Sequence, residues 1–158
     1  MIKAIDTVYR GYKFRSRLEA RWAVFFDSLG IEWEYEKEGY ELGELGRYLP
    51  DFYIHGQKYG PWFVEIKGDM KDEKGLQKAR YLDDHLPVGE NGYPVAMGVL
   101  IRSKLEYAEV IPGGEDYPEQ PNSMASFVFM LCDDVPHIDK INEAVTAAKS
   151  ARFEFNGN

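Results

Sequence analysis

The chain has a single cysteine, Cys132, so it can close no internal disulfide. Its three histidines, His55, His85 and His137, are scattered, which leaves little from which to build a structural zinc site. No stretch of eighteen apolar residues is present, so the sequence offers no transmembrane helix. The opening segment, MIKAIDTVYRGYKF, lacks an apolar h-region, and together with the lone cysteine this points to the cytoplasm. Basic charge is in deficit too: 19 Lys and Arg stand against 27 Asp and Glu, a net charge of −8, which is awkward for any protein that grips phosphate. What the chain does have is apolar bulk. At 44% hydrophobic and 15% aromatic it is too apolar to stay disordered. A chain of 158 residues buries roughly 70% of the surface it exposes when unfolded, enough for one domain over residues 1–158.

The basic residues are unevenly placed. Lys3, Arg10, Lys13, Arg15, Arg17 and Arg21 face only Asp6, Glu19 and Asp27 within the first thirty residues, a local +3 that leaves the remainder at −11. The same region opens a helix: Leu18, Trp22, Phe25, Phe26 and Leu29 recur at helical spacing over 16–29, and Gly30 marks the stop. Ile31, Trp33 and Tyr35 then alternate with glutamates as a half-exposed strand does. Residues 48–54 and 62–67 read as two further strands joined by the turn-rich HGQKYGP, and a second helix runs from about Asp72 to Leu86. The apolar runs VAMGVLI and FVFMLC read as strands buried on both faces, separated by a polar insert at 112–122. A last helix covers about Ile138 to Phe155, with Ile141, Val145 and Ala148 inward. The order α-β-β-β-α-β-β-α predicts an α/β fold with helices layered on a sheet.

Charges interrupt two of these strands. Along YLPDFYI, Pro50, Phe52 and Ile54 share one face and Asp51 and Tyr53 the other; along WFVEIK, Trp62, Val64 and Ile66 oppose Phe63, Glu65 and Lys67. A hairpin centred on Lys58 sets Asp51 directly opposite Glu65, where like charges repel. Lys67 can neutralise the pair as a surface salt-bridge cluster. Alternatively a hard cation such as Mg²⁺, which is commonly held by one or two carboxylates and a substrate phosphate, sits between them. Such an ion would activate a water and stabilise charge growing on a phosphodiester, with Lys67 orienting the nucleophile or helping to deprotonate it.

Pro50-Asp51, a spacer, and Glu65-Ile66-Lys67 resemble the PD-(D/E)XK signature of the restriction-endonuclease-like nuclease superfamily, whose α-β-β-β-α-β core with a central mixed sheet flanked by helices is similar to the order read above. The resemblance implies that Asp51, Glu65 and the Ile66 carbonyl hold Mg²⁺, with Mn²⁺ as a substitute, and that Lys67 is the catalytic lysine. Many members carry an acidic residue on the helix before the sheet, and Glu19 fills that place, as a ligand of a second metal or its water. Ser16-Arg-Leu-Glu19 also reads as a capping box, and the two roles are compatible. Gln77-Lys-Ala-Arg-Tyr81 resembles the Q-x-x-x-Y element of RecB-like members, and the stretch from Tyr12 to Tyr81 resembles small nuclease-fold proteins of phages and actinobacteria.

The function expected from these residues is Mg²⁺-dependent hydrolysis of DNA in recombination, repair or phage genome processing. DNA contacts fall to Arg10, Lys13, Arg15, Arg17 and Arg21 and, near the second helix, to Lys71, Lys74, Gln77, Lys78, Arg80 and Tyr81. The competing expectation is an inactive nuclease-fold binding protein, or an acidic DNA mimic that engages a DNA-binding protein partner. The intact Asp51, Glu65 and Lys67 favour the enzyme and the −8 charge favours the mimic. A homodimer is compatible with either.

Overall fold

The first helix forms where its residues predict. Ser16 caps it, the hydroxyl accepting the Glu19 N–H at 3.1 Å, and α1 spans Arg17–Ser28. Gly30 ends it at φ +69°, a backbone conformation that a side chain would strain. Trp22, Phe25 and Phe26 are buried along one stripe. In this computed structural model the described residues are 6–55, 61–67, 72–86, 96–101 (backbone), 127–128, 131–132, 134 and 136–153.

Before α1 stands a short hairpin of β1 (Thr7–Tyr9) and β2 (Tyr12–Phe14), which the sequence reading passed over. Its two-residue turn, Arg10-Gly11, has φ of +49° and +79°, the positive pair that a tight hairpin requires. After α1 come β3 (Trp33–Tyr35), β4 (Tyr40–Glu41), a 3₁₀ turn at Gly43–Leu45, β5 (Arg47–Tyr48), β6 (Phe52–Ile54) and β7 (Trp62–Lys67). Helix α2 (Glu73–His85), β8 (Ala96–Ile101) and α3 (Ile138–Ser150) complete the described elements.

Four strands make the main sheet in the order β3-β6-β7-β8. β3 and β7 flank β6 antiparallel, and β8 runs parallel to β7. Parallel neighbours need a crossover, and α2 supplies it. The sheet is therefore mixed, and α1-β3-β6-β7-α2-β8 follows one another with only the β4–β5 ribbon inserted. β7 has a partner strand on each side and packing on both faces, so Trp62, Phe63, Val64, Glu65 and Ile66 are all buried. Its alternate residues feed two cores. Trp62, Val64 and Ile66 pack with Phe52, α1 and α3; Phe63 packs with Leu76, Ala79 and Leu82 of α2 and with Leu42 and Tyr48.

Three sequence expectations are corrected. FVFMLC is not a strand: Phe127, Val128 and Leu131 are helical, and the Cys132 N–H bonds the Val128 carbonyl at 3.0 Å, one helical turn back. Phe127, Val128 and Leu131 share a face that joins the α1–α3 core, and a short apolar run fits a buried strand and a buried helix equally. Nor do residues 48–54 form one strand. The chain leaves the β4–β5 ribbon at Tyr48, bends at Asp51 and enters the main sheet at Phe52. The last helix stops at Ser150, short of the expected Phe155, with Ile141, Ala144 and Ala148 buried and Val145 half-buried. The polar insert at 112–122 and Lys71 lie outside the described residues.

Candidate active site

The β6–β7 register pairs Phe52 with Val64, and one further step sets Asp51 against Glu65, as a hairpin centred on Lys58 requires. The ladder itself ends at Phe52. Freed from it, the Asp51 carboxylate turns inward, and Oδ2 accepts the Ile66 N–H at 2.7 Å. The Asp51 carbonyl meanwhile accepts the Glu36 N–H at 2.8 Å, so the bend is pinned from both sides.

Asp51 is 4% exposed and Glu65 6%, and Glu19 brings a third buried carboxylate from α1 at 8%. The salt-bridge cluster expected of the strand charges is present, with Lys67 on Glu65 and Arg15 near Asp51, but its carboxylates are buried and not on the surface. Each carboxylate faces its own partners. Glu19 accepts the Tyr35 hydroxyl at 2.5 Å and the Ser16 hydroxyl at 3.0 Å. Half of the capping box is made, the Ser16 hydroxyl accepting the Glu19 N–H; the glutamate carboxylate accepts from that hydroxyl in place of the Ser16 backbone N–H. Glu65 accepts the Tyr48 hydroxyl at 2.8 Å and pairs with Lys67 Nζ at 3.1 Å. Arg15 Nη2 stands 3.7 Å from Asp51 and 2.5 Å from Glu36.

The electrostatics follow from burial. Loss of water drives the Asp51 carboxyl well above the usual range, and the charges of Glu65 and Glu19 push it further, against the Ile66 N–H and Arg15. Burial likewise raises Glu65, opposed by Lys67 and by the Tyr48 hydroxyl. Tyr48 is itself driven far above its ordinary value by burial and by Glu65, so its hydroxyl keeps its proton and remains a donor. For Lys67, burial disfavours the charge, but the bonds to Asp72 at 2.8 Å and to Glu65 outweigh it and raise the group above its usual value. Lys67 in this arrangement is an ammonium: it can donate hydrogen bonds and offer positive charge, but it is no base.

These side chains line a cleft of about 410 Å³ together with Arg15, Arg47, Lys74 and Lys78. Of the residues predicted to contact DNA, Arg15 and Lys78 are therefore at the cleft, with Lys74. Arg10 pairs instead with Asp27, near the far end of α1, and Lys13 with Asp6. Arg17 and Arg21 lie on α1 outside the cleft lining, Arg21 half-buried. Gln77 and Tyr81 are exposed on α2 away from the lining, Tyr81 stacking on His85 at 4.1 Å between ring centres, and Arg80 is exposed as well. Sequence reasoning missed Arg47, Tyr48, Tyr35 and Asp72. Arg47 and Tyr48 carried a signal in their closeness to Pro50-Asp51; Tyr35 and Asp72 reach the site only through the fold.

Among the described residues no group of three or more His, Cys, Asp and Glu side chains stands close enough to hold a metal ion. The donor set nevertheless suits a hard cation that needs only one or two carboxylates, since Asp51 and Glu65 are buried oxygen donors whose mutual repulsion is only partly offset. Compared with known proteins, the chain matches no family model, no curated protein and no solved structure. Among the described residues no helix is long and apolar enough to cross a membrane.

Proposed function

We propose that this protein is a Mg²⁺-dependent nuclease that hydrolyses DNA phosphodiester bonds, built on a restriction-endonuclease-like core. The observation that carries the reading is the pair of buried carboxylates, Asp51 and Glu65, beside the Lys67 ammonium in an open cleft edged by cations. Burying two like charges together is unfavourable without a compensating cation, and sites of catalysis are where such arrangements persist. The resemblance to the PD-(D/E)XK signature gives these three residues, the Ile66 carbonyl and Glu19 their roles.

Asp51, Glu65 and the Ile66 carbonyl would hold the ion, with Glu19 placed for a second ion or its water. Mg²⁺, when bound, supplies a Lewis acid that lowers the pKa of water and offsets charge growing on the phosphoryl oxygens. The chain's own residues do the rest. Lys67 donates hydrogen bonds to the nucleophile or to the phosphoryl oxygens and so fixes the line of attack. Arg15, Arg47, Lys74 and Lys78 neutralise the phosphates of the strand on either side.

Incubation with linear, circular, single-stranded and branched DNAs in Mg²⁺, Mn²⁺ or EDTA tests the proposal. Cleavage of at least one substrate is expected with either ion and none with EDTA. No cleavage of any substrate, together with capture of a DNA-binding protein, would replace the enzyme by the acidic mimic that the −8 charge favours.

A further inference from the structure

The Lys67 ammonium is held twice. Glu65 lies two residues earlier on the same face of β7, so their contact at 3.1 Å is dictated by the strand. The second contact is not. Asp72 caps α2, one oxygen accepting the Gly75 N–H at 3.0 Å and the other bonding Lys67 Nζ at 2.8 Å. A single carboxylate thereby fixes the start of the helix and the tip of a long, rotamer-rich side chain.

Gly75 sits in the first turn of α2, where glycine is a poor helix former. Its φ is not positive, so no backbone requirement accounts for it. What does account for it is room. A Cβ at position 75 would lie 2.5 Å from Lys67 Nζ and would also collide with the Asp72 carboxylate. Alanine there could be accommodated only by moving that ion pair, since the ammonium is the free end of a flexible chain and the helix backbone is not.

We propose that Asp72 and Gly75 together form the seat of the Lys67 ammonium, with Asp72 a positioning residue that acts through Lys67. The inference rests on the nuclease reading of the cleft for its catalytic consequence, but the seat itself can be tested without any cleavage.

Gly75→Ala and Asp72→Asn are the variants. Asparagine is as good an N-cap as aspartate and keeps an acceptor for the Gly75 N–H, so it removes the charge while sparing the helix start. The first readout is the rate at which an amine-reactive ester acylates Lys67 in metal-free protein at one fixed pH, followed by mass spectrometry. It should rise several-fold in both variants. The second separates kcat from DNA affinity measured in EDTA: kcat should fall about 10- to 100-fold, the scale of a misplaced group, with affinity and melting temperature close to wild type. Unchanged acylation in both variants overturns the seat. Loss of kcat only in step with DNA affinity and melting temperature overturns the positioning role. If the wild type cuts no DNA, the nuclease reading falls and the acylation rates alone decide whether the seat exists.

Discussion

Asp51 is a residue whose sequence position gave away its partner. A turn-rich HGQKYGP between two alternating strands centres the hairpin, and counting outward from Lys58 puts Asp51 against Glu65, which the Phe52–Val64 register bears out. Part of its surroundings was not legible, because Tyr35, bonded to Glu19, and Asp72, bonded to Lys67, come together there only through the fold. Burial has a pH consequence. A carboxyl whose folded pKa is raised takes up its proton in the folded state first, so its penalty is absent below the ordinary carboxylate range and grows as pH rises from about 4 towards the raised value. Metal-free protein should thus lose stability over that window, and Asp51→Asn should flatten the loss and raise the melting temperature at pH 7. Mg²⁺ should stabilise the wild type at pH 7, do little at pH 4, and leave Asp51→Asn unaffected. Thermal melts across pH with and without Mg²⁺ check this, and a variant less stable than wild type at pH 7 would mean that the buried charge stabilises the fold.

Helix α1 was readable from its stripe, its cap and its terminal glycine, and α2 from Asp72 to Leu86 nearly to the residue, because local chemistry fixes helix ends. The segment around Phe127 was misread because six apolar residues carry no period of their own, and only contact with Trp22 and the α1–α3 core selects the helix. The start of α1 is also part of the cleft, so its cap and its chemistry can be separated. Ser16→Ala should destabilise the protein by about 1 kcal/mol, the usual worth of an N-cap. Glu19→Gln retains an acceptor for the Ser16 or Tyr35 hydroxyl and should melt close to wild type, yet cut DNA far more slowly. Paired melting and cleavage assays distinguish the two roles: a fully active Glu19→Gln would confine this glutamate to capping.

At the scale of the whole molecule, the sequence revealed the class of fold, helices layered on a sheet, and the uneven charge; of the cations it named for DNA, the fold brings Arg15, Lys74 and Lys78 to the cleft and leaves Arg10, Lys13, Arg17 and Arg21 outside its lining. Arg10 and Lys13 pair with Asp27 and Asp6 away from the cleft, whereas Arg15, Arg47, Lys74 and Lys78, drawn from three separate stretches of chain, line it, with Arg15 and Arg47 paired to Glu36 and Glu41. With a total charge of −8 the rest of the surface repels DNA, so binding should be confined to this edge and fade steeply with salt. Alanine at Arg47, Lys74 or Lys78 should each reduce the slope of log affinity against log salt by about one, while Arg10→Ala and Lys13→Ala leave it nearly unchanged. Fluorescence anisotropy in EDTA over a salt series measures the slopes, and equal effects at both sets of positions would remove the cleft from DNA binding.

The bond from the Ile66 N–H to Asp51 gives the protein a witness of its own. Where β6 has ended, this one amide of β7 is satisfied by a carboxylate oxygen instead of a backbone carbonyl, so its proton resonance and its exchange with solvent follow whatever that oxygen is doing. Protonation of Asp51, rotation of its side chain or capture of a cation each alters the field at a single backbone position, with no label attached and no residue changed. A two-dimensional amide spectrum thereby follows the state of the cleft in the unmodified protein, through a nucleus at its floor.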